Sequence, residues 1–287
     1  MGYSGRYHAA SLAAVFVALA IGILVGIALA DDVVSSASDE LEATLRGDRD
    51  EAQDEAEALT AELEQEREFG ERIGPALVFG RLARERVGLL SLGDLPDDDT
   101  VEEVEQAVAA GGGDLTSIAV LSLPPDLPAL AQAAGGRFAD GDATPAELGT
   151  AIGRQLMGGG PLIERIRDEL FVRFTGDLSG VDRAVLVARP PEELQGDLSG
   201  DERAFTSAML GAIDETAAGS AGVERSTTDP TTLMTASNAG IATVDNIDQE
   251  SGQVSLVFAL AGAEGDFGTK EAATSLLPEL PGSALSP

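Results

Sequence analysis

The most regular feature of the chain is an uncharged apolar run from Ala9 to Ala30. A helix rises about 1.5 Å per residue, so a run of this length spans a hydrocarbon core of roughly 30 Å. It predicts a transmembrane anchor over residues 9–30, preceded by a short N-terminus, residues 1–8. From Val33 to about Arg72 the pattern becomes Glu, Ala and Leu without proline, which predicts a long helix continuous with the anchor. Within it Leu45, Ala52, Ala56, Leu59 and Leu63 keep the spacing of a coiled-coil a/d seam. Glu42 and Arg49 fall on the same seam and weaken its start. Gly74-Pro75 then predicts the end of a helical stalk over residues 31–73.

Beyond the stalk the period changes. Val87–Leu92 reads as a buried strand, and Thr100 with Glu103 as a capping box opening a helix to about Ala110. Gly111–Gly113 stop that helix, and Leu115–Leu123 reads as a second strand, giving a β-α-β unit with parallel strands. Thr144 and Glu147 form another capping box around Pro145, opening a helix to Met157. A further helix runs to Leu170, Val181–Ala188 is a strand and Asp201 to about Ala218 a helix. Gly222–Arg225 and Gln253–Leu260 complete the predicted strands. Alternating strands and helices predict a three-layer α/β domain with a mainly parallel sheet over residues 74–277. A Pro- and Ser-bearing tail, residues 278–287, reads as disordered. The pentapeptide Gly-Asp-Leu-Ser-Gly occurs at 176–180 and again at 196–200, without any longer repeat around it.

Charge orients the anchor. Arg6 precedes it while Asp31 and Asp32 follow, so the N-terminus belongs inside and the bulk of the chain outside the cytoplasm. Ala28-Leu29-Ala30 also has the form of a signal-peptide cleavage site. Retained anchor and cleaved signal remain alternatives, with the same compartment in both. Gly22 and Gly26 lie on one face of the anchor and suit close approach of a second helix.

Fifty acidic residues against 18 basic ones give a formal net charge of −32, which excludes nucleic acid as a partner. Fifteen of the acids and three of the bases lie between Asp31 and Gly70. Parallel copies of this helix repel unless cations or a partner intervene. The expected partners are the bilayer through residues 9–30 and either a second copy or another envelope protein. Cysteine is absent, so the core holds by packing alone.

The candidate chemistry is sparse. His8, the only histidine, lies at the cytoplasmic end of the anchor, so no His-based triad or zinc site can form in the outer domain. Lys270 is the only lysine, and the first strand is followed by Gly93-Asp94-Leu95-Pro96 in place of a phosphate or dinucleotide fingerprint. The expectation is a protein that is not an enzyme and binds no cofactor. The acidic loop Asp94, Asp97, Asp98 and Asp99 is the one candidate metal site, suited to a loosely held hard cation. The same residues also suit solvated charges before a helix N-terminus. Copper(I) prefers thiolate or thioether ligands, and the methionines are Met1, Met157, Met209 and Met234. A carboxylate-only glycan enzyme would need Asp97–Asp99 to converge with Asp245 or Asp248 within roughly 5–10 Å.

Two stretches carry a family resemblance. The segment from Arg6 through Tyr7-His8-Ala9-Ala10-Ser11 to Gly26 resembles the start of the actinobacterial copper transport protein family, the MctB-like proteins. Thr243-Val244-Asp245-Asn246-Ile247-Asp248, then Gly252, Val254–Leu260 and Gly265-Asp266-Phe267-Gly268-Thr269, resemble its closing segment. The resemblance implies a cell-envelope protein of copper transport or homeostasis, described in that family as a pore-forming outer-membrane protein. It supplies no copper ligands that can be placed here. A spanning barrel needs many strands of about ten residues with alternating apolar positions, and this chain shows continuous apolar runs and capped helices instead. The rival expectation is a non-catalytic envelope scaffold that oligomerises through Leu45–Leu63.

Overall fold

A computed structural model describes residues 4–177, 180–189 and 198–279. Residues 178–179 of the first Gly-Asp-Leu-Ser-Gly copy, residues 190–197, which take in the first two positions of the second copy, and the tail from 280 lie outside the described residues. The chain divides into two compact units, residues 1–66 and 67–287.

The first unit is helical over its described residues. Helix α1 spans Ser4–Val78, and its residues His8–Ile27 are long and apolar enough to cross a membrane, with none of them buried. Leu45, Ala52, Ala56, Leu59 and Leu63 are all exposed.

The second unit begins within α1 and contains, among its described residues, a seven-stranded sheet in the order β3-β2-β1-β4-β5-β6-β7. The strands are β1 (Arg86–Gly93), β2 (Asp114–Leu121), β3 (Phe171–Gly176), β4 (Arg183–Arg189), β5 (Ser220–Val223), β6 (Ala242–Val244) and β7 (Asp266–Phe267). All pairings are parallel except that of β3 with β2. The helices are α2 (Asp98–Ala110), α3 (Leu127–Ala134), α4 (Pro145–Gly158), α5 (Pro161–Leu170), α6 (Gly200–Thr216), α7 (Met234–Ser237) and α8 (Glu250–Leu260). Val87 to Leu92 of β1 are buried on both faces, as expected of a strand covered by helices on each side. One core gathers Leu90, Leu92, Leu121 and Leu186 under α3, α4, α5 and α6. The other gathers Leu89, Val185, Val187 and Val223 with α2, α8 and Val78. The three-layer α/β architecture predicted from the sequence is therefore present.

Three local expectations are corrected. First, Gly74-Pro75 does not stop α1, which continues to Val78 with Pro75 inside it. Pro75 lacks the N–H for an i−4 bond, and the helix ends within one turn of it. The glycines serve contact instead: a side chain at Gly74 would come within 3.0 Å of Glu250 Oε2 and 3.4 Å of Val254 Cγ2. Second, α2 is capped by Asp97, whose side chain accepts a 2.7 Å hydrogen bond from Thr100 N–H. The helix starts before Thr100, because Asp97 already supplies a good N-cap. Third, Gln253–Leu260 is not a strand but most of α8. Residues 254–260 are buried without interruption, so the segment is apolar on every side and carries no period to separate helix from strand.

The predicted box at Thr144 and Glu147 opens α4, and an equivalent box at Ser199 and Glu202 opens α6. α4 and α6 meet backbone to backbone: a side chain at Gly149 would lie 2.3 Å from Phe205 O, and one at Gly153 2.3 Å from Met209 O. Glycine is the residue that permits this approach.

Candidate functional site

Because β1, β4, β5, β6 and β7 run parallel, the segments that leave them collect at one edge of the sheet. In open α/β sheets that carboxyl edge is where ligands bind. Two structures occupy it here.

The first is a charge clasp. Arg225, just past β5, reaches across to the loop before α2. Its guanidinium lies 3.6 Å from Asp97, 3.2 Å from Asp99 and 3.2 Å from Glu103. Asp248, beyond β6, belongs to the same field and accepts hydrogen bonds from Ser226 N–H (2.7 Å) and Ser226 Oγ (2.6 Å). Burial pushes the Glu103 carboxyl up, Arg225 opposes this, and Asp248, Asp97 and Asp99 add to the rise. Burial acts against the Arg225 charge, but the pull of Glu103, Asp97, Asp248 and Asp99 outweighs it and raises its pKa.

The sequence-derived acidic candidates are thus distributed over several tasks. Asp97 caps α2, while Asp98 and Asp99 lie in its first turn, where the helix dipole favours negative charge. Asp94 is exposed, and its backbone carbonyl accepts from Ser91 Oγ. Among the described residues, no group of three or more His, Cys, Asp and Glu side chains is arranged to hold a metal ion. Asp97, Asp99 and Asp248 do converge at this edge, with the Arg225 guanidinium placed among them.

The second structure is a cleft of about 880 Å³ outside β5, β6 and β7. Its walls are the segment following β5 and the segment following β7, and both are pinned by buried carboxylates. Glu224 accepts from Thr231 Oγ1 (2.8 Å), Thr232 N–H (2.7 Å) and Thr232 Oγ1 (3.1 Å), which shapes the first wall. Asp245 accepts from the backbone N–H groups of Thr269 (2.7 Å) and Lys270 (2.9 Å), which shapes the second. Lys270 joins the walls: its ammonium donates to Glu224 Oε1 (2.6 Å), Thr228 O (2.6 Å) and Arg225 O (3.2 Å). Three oxygens satisfy the three donors of an ammonium. Gly268 is obligatory at this join, with φ +138° and no room for a side chain beside the Asp245 carboxylate.

Sequence reasoning singled out Asp245, Asp248 and Lys270 but not Arg225, Glu224 or the cleft. The available signal was the pairing of two motif-bearing stretches. Thr243–Asp248 forms β6 and its following turn, Gly265–Thr269 forms β7 and its turn, and they meet side by side. Thr243 Oγ1 donates to Asp266 Oδ1 at 2.6 Å, sealing the pair.

These features define a class: an α/β chain with one apolar N-terminal helix and a ligand-sized cleft at the carboxyl edge of a mainly parallel sheet. The chain belongs to the MctB family, whose model, described as "Copper transport outer membrane protein, MctB", matches residues 3–278. It is similar to proteins named "Copper transporter MctB" from Mycobacterium bovis and Mycobacterium tuberculosis. Each is 27% identical over 314 aligned positions, covering 94% of this chain and 98% of the relative.

Proposed function

We propose that this chain is a single-pass protein of the cell envelope that acts in copper transport or copper homeostasis, without catalysing a reaction. The observation that carries the reading is the family match over residues 3–278, which takes in the apolar helix and both strand-and-turn stretches of the carboxyl edge. Arg6 before that helix and Asp31-Asp32 after it favour a cytoplasmic N-terminus and an extracytoplasmic globular unit. Copper is the transported species in this reading, not a resident cofactor. With His8 as the only histidine and no cysteine, a tight copper cage in the outer domain has no favourable donor set. The role is therefore exerted through assembly or partners.

The test is a strain lacking the gene, grown across a copper series with zinc and calcium series as controls, and complemented by the full chain. Copper-selective sensitivity or accumulation, reversed by complementation, supports the reading. Growth unchanged in copper overturns it. A second reading has its own support: Leu45, Leu59 and Leu63 are each more than half exposed on α1, as an unpaired coiled-coil seam would be. In that reading the chain is an oligomeric envelope scaffold. Leu59→Glu with Leu63→Glu then shifts the detergent-solubilised protein to a smaller species by sedimentation, and wall integrity suffers without copper sensitivity.

A further inference from the structure

We propose that the cleft outside β5, β6 and β7 binds a small organic cation, an amine-bearing ligand with an apolar body such as an alkyl diamine. Its volume, about 880 Å³, lies within the range of roughly 300–1,000 Å³ typical of small-molecule sites. The walls are fixed before any ligand arrives, because Glu224, Asp245 and Lys270 are fully engaged in shaping them. That commitment also decides the charge of the space. Among the described residues lining it Lys270 alone is basic, and its ammonium is taken up by Glu224 and two carbonyls. Asp229, Asp266 and Glu271 line the same space with no basic partner in it, so its field is negative and selects a cation.

The lining also separates one kind of cation from another. Leu233, Met234, Phe267 and Ala273 contribute apolar lining to the cleft, and Met234 is 65% exposed. A bare hydrated ion gains nothing from such a surface, whereas an alkyl chain does. Nor do the described carboxylates close into a metal cage. A ligand with an ammonium and a methylene body suits both the acidic and the apolar residues of the lining. This inference stands on the cleft alone and is independent of the copper reading.

The experiment uses the full chain in neutral detergent at near-physiological salt, titrated calorimetrically with cadaverine. The neutral 1,5-pentanediol, the anionic glutarate and Ca²⁺ are run in parallel. One saturable cadaverine site is expected, with no heat from the diol or the diacid. Asp229→Asn and Glu271→Gln, both exposed and outside the core, should each weaken it about fivefold, the value of one partly exposed charge pair. Asp48→Asn and Glu55→Gln, on the acidic part of α1, should leave it unchanged. Absence of a saturable site overturns the proposal. So does equal weakening by the α1 changes, which would mean diffuse attraction to a chain of net charge −32, or a Ca²⁺ affinity exceeding that of cadaverine.

Discussion

Arg225 stands among Asp97, Asp99, Glu103 and Asp248, so its removal leaves four carboxylates with no cation between them. Arg225→Met should cost about 2–4 kcal/mol, the usual penalty for stripping the partner from a partly buried charge cluster. Millimolar Ca²⁺ should return part of it. Urea unfolding followed by circular dichroism, with and without the ion, measures both. Glu250 gives a different signature. Burial raises its carboxyl pKa, Glu71 adds to the rise and Arg67 opposes it. A raised folded-state pKa means that the folded protein binds more protons than the unfolded chain above the ordinary glutamate range. Stability is then greater on the acid side and declines as pH rises through that window. Glu250→Gln should flatten this decline and leave the protein more stable at pH 7, by about 1 kcal/mol or less. Urea midpoints between pH 4.5 and 7 for both proteins check it. Arg225 shows the limit of reading single residues: a lone Arg after a short strand is ordinary in sequence, and its ion-pair partners Asp97, Asp99 and Glu103 lie over a hundred positions away.

At the scale of elements, the contact most sensitive to one atom is that of α4 with α6. Gly153→Ala would set a methyl 2.3 Å from Met209 O and 2.9 Å from Ala212 Cβ, forcing the helices apart. A loss of about 2–3 kcal/mol is expected from such overpacking, read as a lowered melting temperature with secondary structure retained. The helices themselves were largely legible. Pro145 and the box at Thr144 and Glu147 mark the start of α4, and Pro161 marks that of α5. The strands β1, β2 and β4 were legible as apolar runs because parallel strands are buried on both faces. What escaped was short or periodless. β6 and β7 have three and two residues, too few to show a pattern. β3 starts directly where α5 ends, without an intervening turn signal. α8 was misread because full burial erased its helical period. The cleft was illegible for a related reason, since its walls come from loops closed by long-range hydrogen bonds from Glu224 and Asp245.

For the molecule as a whole, the apolar window His8–Ile27 predicts retention in the membrane fraction after alkaline extraction. Phe16→Arg, at its middle, should add about 3 kcal/mol to the cost of insertion and release a measurable share of the chain. The same molecule has a single lysine, and that side chain bridges the two walls of the cleft. Reductive methylation with isotopic formaldehyde would therefore label Lys270 and the N-terminal amine alone. In a protein of 287 residues that leaves one side-chain methyl resonance, free of overlap, sitting at the join between the walls. Its chemical shift and relaxation would report the surroundings of that join directly in intact, detergent-embedded protein.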